Sequence, residues 1–344
     1  MKRVMLSALV AAAGTGVVFA AAGDPEVKPA TLQPAGATQP AETGKTDKDA
    51  KKKVYDENAD AKQQIAAALA KAKKENRRVL IQWGGNWCSW CLLLNKTMTT
   101  DRSLSKELQY EYDVVHVDAG QPKNKNIDLA KSYGATPDKD GFPFLTILDA
   151  DGKAIANQES GSLEKKDANG ESVLGDGMGH DVQKVLKFLK ANEAKPLEAQ
   201  KVIDAGIAEA KSSEKLVFLH FGAPWCPWCH RLDDWMDKTE PAALLGKGFI
   251  NVKVDTDRMT GGADVLKKYR PKDGGIPWFA FIDGDGKVVA DSDAAKGGNV
   301  GFPSAKDELA HFAAMLEKSK LSAEDRTKLI ETLKNDKPGT SAGH

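Results

Sequence analysis

The chain has 344 residues, of which 41% are hydrophobic, enough for two globular domains joined to polar tails. Lys and Arg together number 49, as do Asp and Glu, so the formal net charge is zero, which argues against nucleic acid or an acidic membrane as a general partner. Four cysteines are too few for a disulfide scaffold in a chain of this length, and their occurrence as two equally spaced pairs indicates site chemistry.

Residues 1–22 have the pattern of a secretory signal peptide. Two basic residues precede an apolar run from Val4 to Ala22, and the run ends in small residues that suit cleavage after Ala20 or Ala22. An uncleaved membrane anchor is the alternative, because the run of about 19 residues borders on the length that spans a bilayer. We therefore expect export to the periplasm or another extracytoplasmic compartment, with membrane attachment only if the signal is retained.

The rest of the chain divides into a linker, two domains and a tail. Residues 23–50 hold four prolines among small polar residues, which predicts a disordered linker. The first domain is expected at 51–194 and the second at 195–320. Residues 321–344 are interpreted as a tail with a short helix near Ala323–Leu333.

The first domain has a regular succession of apolar patterns. These predict, in chain order, a helix at 59–75, a strand at 79–83, a helix after Cys91, a strand ending at Asp118, a helix at 127–133, a strand opening near Pro143, a hairpin turn at 149–152 and an amphipathic helix near 182–189.

The second domain repeats this order. Cys226 follows Cys88 by 138 residues, and Pro277 follows Pro143 by 134 residues. The small drift between these offsets is what short loop differences produce between duplicated domains. The repeat therefore predicts two copies of one fold.

Both cysteine pairs lie where a predicted strand passes into a predicted helix. The first pair is Trp87-Cys88-Ser89-Trp90-Cys91, and the second is Trp225-Cys226-Pro227-Trp228-Cys229-His230. The unpaired N–H groups and the dipole at a helix N-terminus favour an anion, and they lower a thiol pKa from about 8.5 to somewhere in the range of about 3.5–7.5. The first cysteine of each pair is therefore the expected nucleophile, and the second is placed to close the disulfide.

This order of elements, with Trp-Cys-x-x-Cys and a later X-Pro that opens an apolar strand, resembles the thioredoxin superfamily. The resemblance implies an α/β fold class with two tandem thioredoxin-like domains, each a central mixed sheet flanked by helices. It implies thiol–disulfide exchange with polypeptide thiols or disulfides and with a redox partner protein, without a cofactor or a metal. Cys88, Cys91, Cys226 and Cys229 would be the catalytic residues.

The resemblance also implies residues that bind substrate. In the superfamily the X-Pro bond is cis and the proline lies beside the cysteine pair, which carries over to Pro143 and Pro277. Trp87 and Trp225 directly precede the pairs, and we expect them to form an apolar docking surface for a polypeptide, with ordinary core packing as the alternative.

Thioredoxin itself has a buried acid six residues before its first cysteine, and this chain departs from that pattern. The corresponding residues are Gln82, which cannot titrate, and His220. His220 and His230 are therefore the candidates for proton transfer at the second pair, since a histidine changes its charge between about pH 5 and 8. The first pair has neither histidine.

Other uses of the cysteines remain open from the residues alone. Cys226-Pro227-Trp228-Cys229-His230 fits the attachment pattern of c-type haem, although the first pair has Leu92 in place of His230. Cys226, Cys229 and His230 could also bind copper or zinc. A purely structural disulfide and a single zinc site built from both pairs are the remaining alternatives, and redox chemistry is favoured over them.

Overall fold

The structure is a computed structural model. It describes residues 53–120, 125–173, 179–294 and 297–336. The predicted signal peptide at 1–22 and the predicted linker at 23–50 lie outside these residues. In the part of the chain that is described, no helix is both long enough and apolar enough to cross a membrane.

The first domain follows the predicted order of helices and strands. Its elements are α1 (Ala61–Glu75), β1 (Arg78–Gly84), α2 (Ser89–Thr100), α3 (Arg102–Glu111), β2 (Tyr112–Asp118), α4 (Ile127–Ser132), α5 (Pro137–Asp140), β3 (Phe144–Leu148), β4 (Ala154–Glu159), a 3-10 turn (Gly161–Leu163) and α6 (Val182–Lys190).

The second domain repeats this order and adds elements at its end. They are α7 (Ala199–Ser212), β5 (Leu216–Gly222), α8 (Pro227–Met236), α9 (Thr239–Gly248), β6 (Phe249–Asp255), α10 (Gly262–Tyr269), β7 (Trp278–Ile282), β8 (Val288–Asp291), the short strands β9 (Asp293–Ala294) and β10 (Gly298–Asn299), α11 (Lys306–Leu316) and α12 (Ala323–Lys334).

Each domain is built on a mixed four-stranded sheet. The strand orders are β2-β1-β3-β4 and β6-β5-β7-β8, so the two sheets have the same topology. In each sheet the strand that leads to the cysteine pair is central, with a parallel neighbour on one side and an antiparallel neighbour on the other. The predicted fold class is confirmed.

The central strands are covered on both faces, which explains their continuous apolar sequence. Val79, Leu80 and Ile81 of β1 are all fully buried. Val79 and Ile81 pack with residues of α1, whereas Leu80 packs on the opposite face with residues of α2, α3 and α6. The sheet is therefore the middle layer of the domain. The cysteine pair follows the C-terminal end of the central strand β1.

Helices α3 and α9 are absent from the prediction. Asp101 ends α2 and begins α3, and its carboxylate accepts hydrogen bonds from the backbone N–H groups of Ser103 and Leu104. Helix α3 is mostly polar and has a narrow buried face, which includes Leu104 and Leu108. The segment is hard to predict because it carries only two leucines among ten residues, although its apolar and polar residues lie on opposite faces.

The terminal helix α12 packs into the core of the second domain. Its Leu329 and Leu333 are buried in the same core as Trp235 and Phe312. The indole Nε1 of Trp235 also donates a hydrogen bond to Thr332 at 3.1 Å. The sequence analysis placed this helix in a tail after residue 320, because two leucines on a mostly polar helix do not reveal which surface they cover.

The two domains meet at an interface centred on Arg258. Its guanidinium forms two hydrogen bonds with the Glu111 carboxylate, of 3.0 and 2.8 Å. It also donates to the backbone carbonyls of Glu75 and Asn76, each at 2.9 Å. The Arg258 side chain is only 9% exposed, so a cation of the second domain is enclosed by acceptors of the first.

Candidate redox sites

All four cysteines are paired within their own motifs. Cys88 is bonded to Cys91, and Cys226 is bonded to Cys229. Each bond closes a loop with a sequence separation of 3, too short to restrict the unfolded chain much. The short loops therefore argue against a mainly structural role for these disulfides.

The first cysteine of each pair caps a helix. Cys88 is the N-cap of α2, and its Sγ accepts a hydrogen bond from the backbone N–H of Cys91 at 3.1 Å. Cys226 is the N-cap of α8 and makes the same contact with the N–H of Cys229, also at 3.1 Å. On reduction, this N–H and the helix dipole would stabilise a thiolate on Cys88 or Cys226.

The sulfurs are little exposed, but each pair has an accessible tryptophan beside it. Cys88 is 7% exposed and Cys226 is 2% exposed, whereas Trp87 and Trp225 are 47% and 53% exposed. Each pair therefore has an exposed indole on the residue directly before it. Trp228, between the second cysteines, is 51% exposed as well.

The residues that precede the predicted prolines contact the cysteine motifs. The Phe142–Pro143 and Ile276–Pro277 bonds are both cis. The backbone oxygen of Ile276 is 3.6 Å from Cys226 Sγ. Because a disulfide sulfur carries no hydrogen, this is a packing contact in the oxidised protein. At the first pair, the Phe142 ring lies edge-on to Trp87, with centroids 5.3 Å apart.

Behind the first pair lies a buried group that includes Tyr55, a residue that the sequence analysis missed. Gln82 Nε2 donates hydrogen bonds to the Tyr55 hydroxyl at 2.7 Å and to the Cys91 carbonyl at 2.9 Å. A Cβ on Gly84 would lie 2.6 Å from both Cys91 Sγ and the Tyr55 oxygen, so the hydroxyl and the sulfur are neighbours. Tyr55 precedes the first helix and has no sequence motif that marks it.

His116 completes this group. It pairs with Gln82 in the register of β1 and β2, and its ring lies edge-on to Tyr55 at a centroid distance of 5.3 Å. Burial lowers the pKa of His116 to about 4 and raises the pKa of Tyr55 well above its ordinary value. Both side chains are therefore uncharged at neutral pH.

The group behind the second pair is charged. His220 Nδ1 is 3.4 Å from the Asp233 carboxylate, and Lys253 Nζ is 2.7 Å from the same carboxylate. Lys253 also lies 3.6 Å from Glu75 of the first domain. Burial lowers the pKa of His220 to about 4 in spite of the neighbouring carboxylate, so the ring is neutral at pH 7.

His220 faces the second pair. A Cβ on Gly222 would lie 3.0 Å from Cys229 Cβ, and His220 is two residues earlier on the same strand. Side chains two residues apart on a strand share one face of the sheet. The structure thus brings His220 to the Cys229 side, together with Asp233 and Lys253, which the sequence analysis did not identify.

His230, the other predicted proton-transfer residue, is bound to backbone. Its Nε2 lies 2.7 Å from the carbonyl oxygen of Pro224, which requires the hydrogen of the ring to be on that nitrogen. Pro224 is two residues before Cys226, so His230 ties the start of α8 to the loop that carries the pair. Within the described residues, no group of three or more His, Cys, Asp or Glu side chains is arranged to hold a metal ion.

Two family models match the chain, one in each half. A model described as thioredoxin-like (Thioredoxin_7) matches residues 60–150, and one described as Thioredox_DsbH, protein of unknown function, DUF255, matches residues 181–334. The chain is a tandem thioredoxin-like protein. The second match ends at 334, the last residue of α12, in agreement with the placement of that helix in the second domain. The fold and the two Cys-x-x-Cys pairs together support a thiol–disulfide redox function.

Several solved structures are similar to parts of this tandem thioredoxin-like protein. A disulphide isomerase from Xylella fastidiosa Temecula1 is 29% identical, with a TM-score of 0.34 over 41% of this chain and 98% of that one. A DsbH oxidoreductase is 26% identical, with a TM-score of 0.26 over 37% and 82% of the two chains. The C-terminal domain of DsbD from Neisseria meningitidis is 15% identical, with a TM-score of 0.27 over 39% and 97%. Comparison with curated proteins found no match.

Proposed function

We propose that this protein catalyses thiol–disulfide exchange on exported polypeptides, with Cys88 and Cys226 as the attacking residues and Cys91 and Cys229 as the resolving residues. The observation that carries the proposal is the capping geometry. Each attacking sulfur accepts an N–H hydrogen bond at the start of a helix and has its resolving partner three residues further on. This arrangement stabilises a thiolate and places a second thiol within bonding distance.

The reaction transfers two electrons. When the protein is reduced, the Cys226 thiolate attacks one sulfur of a substrate disulfide, and the other substrate sulfur leaves as a thiolate that takes up a proton. Cys229 then loses its proton and attacks Cys226 in the mixed disulfide, which releases the second substrate thiol. The substrate has gained two electrons and two protons, and the pair has become the disulfide. The reverse sequence oxidises a substrate dithiol, and a redox partner protein restores the starting state.

Each resolving cysteine has its own surroundings for proton transfer. At the second pair, His220 is neutral and on the Cys229 side of the sheet, so its ring can accept the Cys229 proton. Asp233 would stabilise the cation that results. At the first pair the neighbouring polar group is the Tyr55 hydroxyl, which is held by Gln82 and, being uncharged, can act on the thiol only by hydrogen bonding.

The substrate is proposed to bind across the exposed indoles and the proline segments. Trp87 and Trp225 offer apolar surface beside the sulfurs, and Pro143 and Pro277 lie in the segments that contact them. An extended polypeptide suits this surface, since the flanking backbone can hydrogen-bond to it. Export to the periplasm or another extracytoplasmic compartment is proposed from the pattern of residues 1–22, and oxidising compartments are where protein disulfides form and persist.

Variants that retain one pair each test this function. One variant carries Cys88→Ser and Cys91→Ser, the second carries Cys226→Ser and Cys229→Ser, and the third carries all four changes. We expect the first two variants to exchange disulfides with oxidised glutathione and to reduce insulin, and the third to do neither. Rates no faster than those of free cysteine in either single-pair variant would contradict the proposal. Stoichiometric, cysteine-dependent binding of zinc, copper or haem would instead support a binding protein.

A further inference from the structure

Helix α3 of the first domain contacts the loop that carries the second cysteine pair. Gln109 Nε2 donates a hydrogen bond to the carbonyl oxygen of Pro224 at 3.1 Å. The neighbouring Tyr110 hydroxyl donates to Asp257 Oδ2 at 2.9 Å. Both acceptors belong to the second domain, so successive residues of one helix face the redox site of the other domain.

The same two acceptor atoms are bound from within the second site. The Pro224 carbonyl oxygen also lies 2.7 Å from His230 Nε2. Asp257 Oδ2 also accepts a hydrogen bond from the indole Nε1 of Trp225 at 3.0 Å. Pro224 and Trp225 directly precede Cys226, so each acceptor links the first domain to a residue beside the attacking sulfur.

Two features stabilise the hydrogen bond between Tyr110 and Asp257. Burial, together with the hydrogen bond to Asp257, raises the pKa of Tyr110 to about 12, so the hydroxyl remains a donor at neutral pH. Glu111, the next residue, binds Arg258 through both carboxylate oxygens. Because Arg258 directly follows Asp257, this ion pair fixes the carboxylate against the end of α3.

We propose that Gln109 and Tyr110 are positioning residues of the second redox site, through which the first domain sets the reactivity of Cys226. The proposal rests on the thiol–disulfide exchange proposed above. A thiolate benefits from a helix N-terminus only while it keeps its capping position, and Trp225 can dock a substrate only in a defined orientation. Gln109 binds Pro224 directly, and Tyr110 is linked to Trp225 through Asp257. These hydrogen bonds restrict the loop that determines the capping position of Cys226 and the orientation of Trp225.

The test uses the full chain with Cys88→Ser and Cys91→Ser, so that only the second pair reacts. Two further changes are made separately in this chain. Tyr110→Phe removes one hydroxyl, and Gln109→Ala removes one amide. Two rates are measured on the reduced protein: reaction with oxidised glutathione, and alkylation by iodoacetamide as a function of pH. We expect each change to slow exchange by about fivefold, the factor that corresponds to the loss of one hydrogen bond, and to alter the alkylation profile.

Three controls separate positioning from a general loss of stability. The same changes in the chain with Cys226→Ser and Cys229→Ser should leave the reactivity of the first pair unchanged. Lys73→Gln removes an exposed ion pair to Asp151 within the first domain and should leave the second pair unchanged. If Tyr110 acts through Asp257, Tyr110→Phe should add nothing in an Asp257→Ala background.

Unchanged exchange and alkylation in the folded double variant Tyr110→Phe, Gln109→Ala would overturn the proposal, as would equal slowing of both pairs. A parent single-pair chain that reacts with oxidised glutathione no faster than free cysteine would refute the proposed function. The alkylation profiles would still decide the positioning role, because alkylation requires no disulfide substrate.

Discussion

The two domains have the same sheet order and the same cysteine caps, yet the groups behind their cysteines differ in kind. The first pair is backed by Gln82 and the Tyr55 hydroxyl, and neither is charged at neutral pH. The second pair is backed by His220, Asp233 and Lys253. A strand position that carries an amide in one copy thus carries an imidazole in the other.

This difference shows that the positions of the sulfurs and the side chains behind them are specified by different parts of each domain. The helix cap and the proline segment depend on backbone positions, which both copies share. The groups behind the sulfurs, such as Gln82 on β1 and His220 on β5, are side chains that can change without moving the sulfurs. Two sites of the same shape can therefore differ in the side chains behind their sulfurs.

The largest effect we expect concerns α12, a helix that closes the second domain. Leu329→Ala should destabilise the second domain by about 2–5 kcal/mol, because a buried leucine is replaced by a cavity. Denaturant titration followed by alkylation of the reduced pairs would report each domain separately. Glu324→Ala, on the exposed side of the same helix, should have little effect. Equal loss of protection in the Leu329→Ala and Glu324→Ala variants would contradict the assignment of α12 to this core.

The next effect is a pH dependence that follows from His220. Its pKa in the folded protein, about 4, is below the ordinary value of about 6.5, so between these values the unfolded chain binds a proton that the folded chain does not. Stability should therefore be complete above about pH 6.5 and fall as the pH is lowered toward 4. His220→Gln makes the second domain resemble the first and should remove up to about 2 kcal/mol of the loss between pH 7 and 5.

Urea unfolding at several pH values measures this difference. His116→Gln is the matched variant in the first domain, where burial also lowers the histidine pKa to about 4. The interpretation would be wrong if the acid-induced loss of stability were the same in the parent and in His220→Gln.

A smaller effect is expected for Asp233→Asn, which removes the charge shared by His220 and Lys253. Exchange at the second pair should slow by about tenfold, equivalent to about 1.4 kcal/mol, since the imidazolium that forms during proton transfer loses its partner. Asp237→Asn, near the end of the same helix and exposed, is the control. Stopped-flow exchange with oxidised glutathione should show the slowing only in the first of these variants.

The smallest effect is expected behind the first pair. Tyr55→Phe removes the hydroxyl that accepts a hydrogen bond from Gln82 and should cost about 1 kcal/mol of stability. Exchange at Cys88 should slow by a similar factor, about fivefold, whereas the second pair should be unaffected. If both pairs keep their parent rates, Tyr55 has only a packing role.

Features that depend on residues close together in the chain could be predicted from the sequence. Strand β1 is a continuous apolar run, and the Cys-x-x-Cys spacing marks the helix that follows. Tyr55 could not be found in this way, because its link to Cys91 spans residues far apart in the chain and depends on the packing of the segment before α1. The ion pairs of Lys253 with Asp233 and Glu75 were missed for the same reason, since charged residues on a strand usually indicate a solvated face.

The contacts of Arg258 determine what would happen if the second domain were produced without the first. All of its charged and carbonyl acceptors at the interface come from the first domain, and the side chain is nearly enclosed. A fragment that contained only the second domain would carry this cation, and Lys253 would lose one of its two carboxylates. We therefore expect the second domain to lose part of the environment of its cysteine pair when it is separated from the first.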